Sequence, residues 1–179
     1  MNLIALPSEI TNLLSSINAP ERLKRHLRIV HHTAYELIEA LKNKWPGITF
    51  KEQEVLFGAA THDIGKAMVT SELYEDGKKH EDEGYRLLIK HGFPDHLARF
   101  AKTHGTWPDD GLPLEDLLVC LADTVWTGQR LDALEEKVIH RLAERLHVDY
   151  WEVFPVMDEI ISHVSNDADQ KMAWQGMAG

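Results

Sequence analysis

Apolar residues recur at intervals of three and four along most of this chain, which is the period of an amphipathic α-helix. The clearest stretch lies between Pro20 and Lys44, where steps of 4, 3, 4, 3 and 4 separate six apolar positions: Leu23, Leu27, Val30, Ala34, Leu37 and Leu41. Strict alternation of apolar and polar residues, the strand pattern, never exceeds about four residues. The pattern therefore predicts an all-α fold.

Local signals predict where several of these helices begin and end. Proline disfavours helical geometry in the residue before it, so Trp45-Pro46-Gly47 should end the first long helix. Capping boxes at Thr49–Glu52 and Asp149–Glu152 should begin a helix to His62 and a final one to about Val164, the latter irregular at Pro155. Further helices are predicted over Ser8–Ile17, His80–His91 with Gly92 as its left-handed end, Pro94–His104, a segment from Leu117 to Val125, and Leu131–Leu146.

These elements predict one domain over residues 1–165, a compact helical bundle. Its motif-bearing core spans about 20–130, and C-terminal helices fill 131–164. A loop is expected over Gly105–Pro113. Residues 166–179 are small and polar and are expected to form a flexible tail.

Charge and cysteine content narrow the function classes. The 179 residues carry 19 Lys and Arg against 29 Asp and Glu, a formal net charge of −10, which argues against binding a nucleic-acid backbone. A lone cysteine, Cys120, cannot form an internal disulfide, so a reducing compartment is expected. Apolar runs are too short for a membrane span, and Met1–Pro7 lacks a signal peptide's basic region. We expect a cytoplasmic protein, with its oligomeric state open.

Histidine is the residue type that points to chemistry. Of 11 histidines, eight fall between residues 26 and 104, and His62-Asp63 directly follows an apolar helix. Burying such a pair is costly unless its charge is compensated, and imidazole with carboxylate is a good ligand set for Zn, Mn, Fe or Ni. Alternatively, Asp63 caps the following turn and His62 hydrogen-bonds to it. The dipeptide alone leaves both interpretations open.

Several motifs in order resemble the HD-domain metal-dependent phosphohydrolases. His62-Asp63-Ile64-Gly65-Lys66 is similar to that family's signature. The other matching positions are Pro20, His26, Val30, Ala34 and Leu37 upstream, then His80 to Gly84, Gly92-Phe93-Pro94, Thr103-His104 and Leu121-Ala122-Asp123. The resemblance covers about residues 20 to 130.

The resemblance implies a metal site between core helices. Its ligands to a first ion would be His26, His62, Asp63 and Asp123. His80 and His104 would complete a second site, with Asp63 bridging. His31 is an alternative to His26, because it gives the more ordinary separation of 31 residues from His62. One or two divalent ions are expected, with Fe, Mn, Mg, Zn, Ni and Co all possible.

The chemistry that such a site implies is hydrolysis of a small phosphorylated substrate, a phosphate ester or anhydride such as a nucleotide, with Asp63 and Lys66 as catalytic residues. Lys66 and Arg130 are the candidate phosphate contacts, and Glu81 is a candidate partner that orients His80. The same fold with two irons can serve an oxygenase, and a non-catalytic regulatory module is a further alternative.

Overall fold

The computed structural model describes residues 2–108 and 111–177, and it contains no strand within those ranges. The α-helices are α1 (Ser8–Ser16), α2 (Glu21–Lys44), α3 (Glu52–Thr61), α4 (Lys79–Lys90), α5 (Asp95–Ala98), α6 (Phe100–Thr103), α7 (Leu114–Val125), α8 (Asp132–Leu146), α9 (Tyr150–Val164) and α10 (Ala168–Gly176). Two 3₁₀ turns, Ile64–Ala67 and Thr70–Leu73, lie between α3 and α4. The predicted all-α fold is confirmed.

Helix α2 is central to the packing. It contacts α3, α7, α9 and α10, and all six positions of its apolar pattern are buried. Both α2 and α3 contribute side chains to two buried clusters, a larger one with α7, α8 and α9 and a smaller one with α1 and α4. This helix pair therefore joins the two halves of the core. Helix α2 carries His26 and His31, and His62 follows the last residue of α3.

Helix α4 approaches the turn that follows α3 unusually closely. A Cβ atom at Gly65 would overlap the backbone carbonyl oxygen of His80, and a Cβ at Gly84 would lie 3.1 Å from the Gly65 nitrogen. Two glycines thus allow the backbones to touch where side chains would hold them apart. As a result His80, in the first turn of α4, lies directly beside Asp63.

The two predicted capping boxes have different outcomes. Asp149 and Glu152 form theirs at the start of α9. The box at Thr49 is not formed, because α3 begins later, behind Lys51. The backbone N–H of Lys51, the residue before α3, donates to a carboxylate oxygen of Glu115 on α7 at 3.0 Å.

Three further expectations differ from the structure. The helix predicted over Pro94–His104 is two short helices, α5 and α6, that meet at Arg99. Pro155 lies within an unbroken α9. In place of a tail that frays, residues 168–176 form α10. Residues 109 and 110 of the predicted loop, and 178 and 179 of the tail, lie outside the described residues.

A membrane-spanning helix was not expected, and within the described ranges no helix has the length and apolar character to cross a membrane.

Candidate metal centre

The six side chains that the resemblance implies as ligands lie together between the helices. They form two triads: His26, His62 and Asp123 (the first triad) and Asp63, His80 and His104 (the second triad). Within each triad the ligand-type atoms all lie within 4.8 Å of one another. The residues come from α2, the end of α3, the start of α4, the residue after α6, and α7.

The first triad brings two imidazoles and a carboxylate to one point. The Nε2 atoms of His26 and His62 are 3.2 Å apart, and each lies 3.3 Å from Oδ1 of Asp123. His62 is fully buried, and His26 and Asp123 are partly exposed. One side of this triad is therefore open to an incoming ligand.

The second triad has matching geometry, and Asp63 connects it to the first. The Nε2 atoms of His80 and His104 are 3.2 Å apart and lie 3.1 and 3.4 Å from Oδ1 of Asp63. The other oxygen, Oδ2, lies 3.1 Å from Nε2 of His26. The Asp63 carboxylate thus presents one oxygen to each triad, which is how a carboxylate bridges two ions.

Backbone acceptors orient two of the imidazoles. Nδ1 of His62 lies 3.2 Å from the carbonyl oxygen of Ala59, and Nδ1 of His104 lies 3.2 Å from that of Phe100. An N–H at Nδ1 that donates to these oxygens leaves Nε2 unprotonated, with its lone pair directed at the triads. This is the tautomer in which imidazole binds a metal.

Glu72, which the sequence analysis missed, orients a third imidazole. Its carboxylate accepts from Nδ1 of His80 at 2.6 Å and from the backbone N–H of the same residue at 3.0 Å. The Glu72 side chain is 8% exposed. Glu81, the neighbour in sequence, was a candidate to orient His80, but Glu72 occupies that position from the 3₁₀ turn Thr70–Leu73.

A buried, unpartnered oxygen supports a cation at this site. Oδ1 of Asp63 is buried, and no donor in the described part of the chain meets it with hydrogen-bond geometry, although two imidazole nitrogens lie near it. A buried acceptor without a donor costs about 1–3 kcal/mol, and more when it is charged. A divalent ion would supply the missing positive partner, so the residues present fit a metal.

Electrostatics keep the carboxylates of the cluster ionised. Burial alone would raise the pKa of Asp63, but the facing imidazoles, His62 foremost, hold it well below its ordinary value. Burial likewise opposes ionisation of Asp123, whose pKa is nevertheless lowered by His62 and His26. The pKa of His62 is raised because the two carboxylates outweigh the effect of its burial. Both aspartates are therefore anionic at neutral pH, as metal ligands must be.

A cavity of about 200 Å³ opens beside the cluster. His26, Asp63 and Lys66 line it together with Arg22, Leu23, Leu73, Trp126 and Gln175. Lys66 lies at its edge, with Nζ 2.6 Å from Oδ2 of Asp63. Trp126 forms a wall of this cavity, and its ring meets that of His26 edge-on at 5.7 Å between centroids.

Arg130 is not brought to this cavity. Its guanidinium bonds both carboxylate oxygens of Glu135, at 2.7 and 2.6 Å, and one of Asp158 at 2.8 Å. It lines a different cavity with these two acids and Tyr150. Two carboxylates already occupy its donors, so the structure gives no support for the expected phosphate contact.

His31 is placed away from both triads. It is 4% exposed, and its buried Nδ1 has no hydrogen-bond partner within the described ranges. Burial, with a smaller effect of neighbouring His32, lowers the pKa of His31 to about 4. Of the two candidates on α2, the structure brings His26 to the cluster.

Comparison with known families gives a match over the central part of the chain. A family model described as HD domain matches residues 23–127, which is more than half of the chain and includes all six triad residues. No curated protein and no solved structure matches the chain.

Proposed function

This chain belongs to the HD domain family, and we propose that it is a metal-dependent phosphohydrolase that cleaves a phosphate ester or anhydride. The observation that carries the proposal is the pair of triads connected by Asp63 and open to a cavity lined by cationic side chains. That combination suits the binding of divalent ions and of an anionic substrate beside them.

Each triad offers two imidazole nitrogens and one carboxylate to an ion. Such a donor set favours Zn, Fe, Mn, Co or Ni over Mg, which prefers an all-oxygen shell. Two ions per chain, one held by each triad, would use both oxygens of Asp63. When bound, a divalent ion lowers the pKa of a coordinated water and polarises a phosphoryl oxygen.

Two cations of the chain would meet the substrate's phosphate. Lys66 lies at the edge of the cavity, 2.6 Å from Asp63. Arg22 lines the same cavity, with its guanidinium carbon 5.4 Å from the centroid of the Tyr74 ring and no carboxylate partner within the described residues. Arg22 is therefore the second phosphate contact that we propose, instead of Arg130. A guanidinium without a carboxylate partner has donors available for phosphate oxygens.

The cavity limits the size of the substrate. Pockets for drug-sized ligands are about 300–1,000 Å³, so 200 Å³ holds a phosphoryl group and a small organic part. Leu23, Leu73 and Trp126 add apolar wall on which a ring can pack. A nucleotide or related small phosphorylated molecule fits these walls, with any larger part projecting from the opening.

The test is release of phosphate by metal-loaded protein. The purified chain would be reconstituted with Mn, Fe, Co, Ni or Zn and given p-nitrophenyl phosphate and a set of nucleotides and sugar phosphates. We expect phosphate release that chelation abolishes and that the Asp63→Ala variant lacks. Metal-loaded protein that releases no phosphate from any of these compounds contradicts the proposal. Oxygen consumption by the iron-loaded form without phosphate release would favour the oxygenase.

A further inference from the structure

The C-terminal helix α10 forms one wall of the cavity, although it lies outside the residues that match the family model. It packs along α2, the helix that carries His26. Gln175, in the last turn of α10, lines the cavity together with His26 and Asp63. A side chain that the family match does not cover is therefore placed next to the reacting centre.

A buried lysine fixes the position of α10. The Lys171 side chain is fully buried, with Nζ 2.7 Å from a carboxylate oxygen of Asp167, 3.3 Å from one of Glu36 and 3.1 Å from the carbonyl oxygen of Val164. An ammonium has three donors, and these acceptors satisfy them. Because a buried charge that loses one partner is strongly destabilised, this contact with Glu36 of α2 holds α10 in one register.

Gln175 follows Lys171 by four residues, so both lie on the face of α10 that meets α2. The anchored lysine therefore determines where Gln175 lies. The amide of Gln175 makes no hydrogen bond to any residue in the ranges 2–108 and 111–177. A primary amide has two donors and an acceptor, so a residue that lines the cavity has hydrogen-bonding groups available for a ligand.

The cavity is lined by two kinds of polar side chain, which suit different parts of a substrate. Arg22 and Lys66 are cations suited to phosphate, whereas an uncharged amide suits a neutral group that both donates and accepts, such as a sugar hydroxyl or a base edge. We propose that Gln175 is a specificity-determining residue that hydrogen-bonds the organic part of the substrate. This inference rests on the proposed function, and it narrows the substrate to a phosphorylated molecule with such a group, such as a nucleoside or sugar phosphate.

The experiment compares two glutamines of one helix. Gln175→Ala removes the amide in the cavity, and Gln170→Ala removes an exposed one on α10 as the matched control. The readout is a ratio: kcat/KM for adenosine 5′-monophosphate or ribose 5-phosphate divided by kcat/KM for p-nitrophenyl phosphate, which lacks sugar and base. We expect Gln175→Ala to lower this ratio about 3- to 10-fold, the effect of losing one neutral hydrogen bond. Gln170→Ala should leave the ratio unchanged, and metal content should be the same in all three proteins.

An unchanged ratio in Gln175→Ala, or an equal ratio in both variants, overturns the inference. If the wild-type protein hydrolyses none of the three compounds, recognition is measured instead by calorimetry with the same two biological phosphates; the proposed function itself fails only if the whole set of phosphorylated compounds releases no phosphate. Weaker binding to Gln175→Ala than to wild type would still support the inference. Equal affinity, or no binding to either protein, would contradict it.

Discussion

Lys66 is paired with the carboxylate that connects the two triads, and its side chain remains 23% exposed at the edge of the cavity. A cation in this position can stabilise negative charge that develops on a phosphoryl group, and it does so without being a metal ligand. Its contribution should therefore be separable from that of the metal.

Replacing Lys66 with methionine should lower turnover by roughly 10²-fold, as loss of one fixed electrostatic donor does. Metal content and the far-UV circular dichroism spectrum should remain those of wild type. Lys66→Arg should restore activity only in part, because a planar guanidinium is a poor substitute for a compact ammonium. Lys90→Met, at an exposed position of α4, is the control. Wild-type turnover in Lys66→Met would show that this lysine is a surface residue.

The burial of His31 should make the free energy of unfolding depend on pH, independently of the metal site. Its pKa is lowered to about 4 by burial, so the unfolded chain, with an ordinary value of about 6.5, takes up a proton first as the pH falls. The effect of His31 on the free energy of unfolding should thus be nearly constant above pH 6.5. As the pH decreases from 6.5 towards 4, His31 should lower that free energy.

Between pH 7 and pH 5, the wild-type protein should lose about 2 kcal/mol of unfolding free energy through His31, a loss that His31→Leu should not show. Urea unfolding of both proteins at the two pH values, with chelator present, measures the difference. Because the comparison is between pH dependences, any constant cost of the substitution cancels. Equal pH dependence in the two proteins would mean that His31 titrates normally in the fold.

At the scale of the elements, the 3₁₀ turn that carries Glu72 and the start of α4 act as one unit. The Glu72 carboxylate accepts from the backbone N–H of Lys79 at 3.2 Å as well as from His80. It therefore holds the first turn of α4 and the imidazole of His80 with one side chain. A carboxylate that orients a ligand in this way also increases the basicity of that ligand.

Glu72→Gln keeps an acceptor but removes the charge, and we expect it to weaken metal binding about 10- to 100-fold. Glu81→Gln, one residue after His80, is the matched control and should bind metal as wild type does. Competition with a chromophoric chelator measures both affinities. If the two variants bind metal equally well, Glu72 serves only to hold the turn.

Hydrophobic periodicity predicted α2, α8 and α9 to within about a residue at most ends, because each buries a regular set of apolar side chains. It could not predict α10, whose most deeply buried side chain is the charged Lys171. From the sequence alone, a lysine side chain is expected to be exposed to solvent. Its burial is explained by the carboxylates of Asp167 and Glu36 and the carbonyl oxygen of Val164, and the fold brings Glu36 of α2 to it.

The candidate site likewise contains residues that the sequence could predict and residues that it could not. The residues of the two triads could be named from motif order, since a family resemblance preserves ligand spacing. Glu72, Arg22 and Gln175 could not, because their proximity to the cluster depends on how a 3₁₀ turn, the first turn of α2 and α10 pack together. Sequence separation does not encode that packing.

At the scale of the whole molecule, the triads draw their side chains from segments between His26 and Asp123, and the helices that carry them pack into both core clusters. The chain as a whole is acidic, with a net charge of −10, yet Arg22 and Lys66 line the cavity beside the aspartates. Positive charge thus lies beside the triads, where the proposed function requires a phosphate to bind. A metal in the triads would complete this arrangement, so metal binding is the central claim.

Metal analysis of the wild-type protein and of Asp63→Ala, after dialysis from saturating metal, tests that claim most directly. Asp63 presents one oxygen to each triad, so its removal should affect both sites. We predict about two ions per wild-type chain and essentially none in Asp63→Ala, with the helical circular dichroism spectrum retained. Full metal occupancy in folded Asp63→Ala would contradict the account.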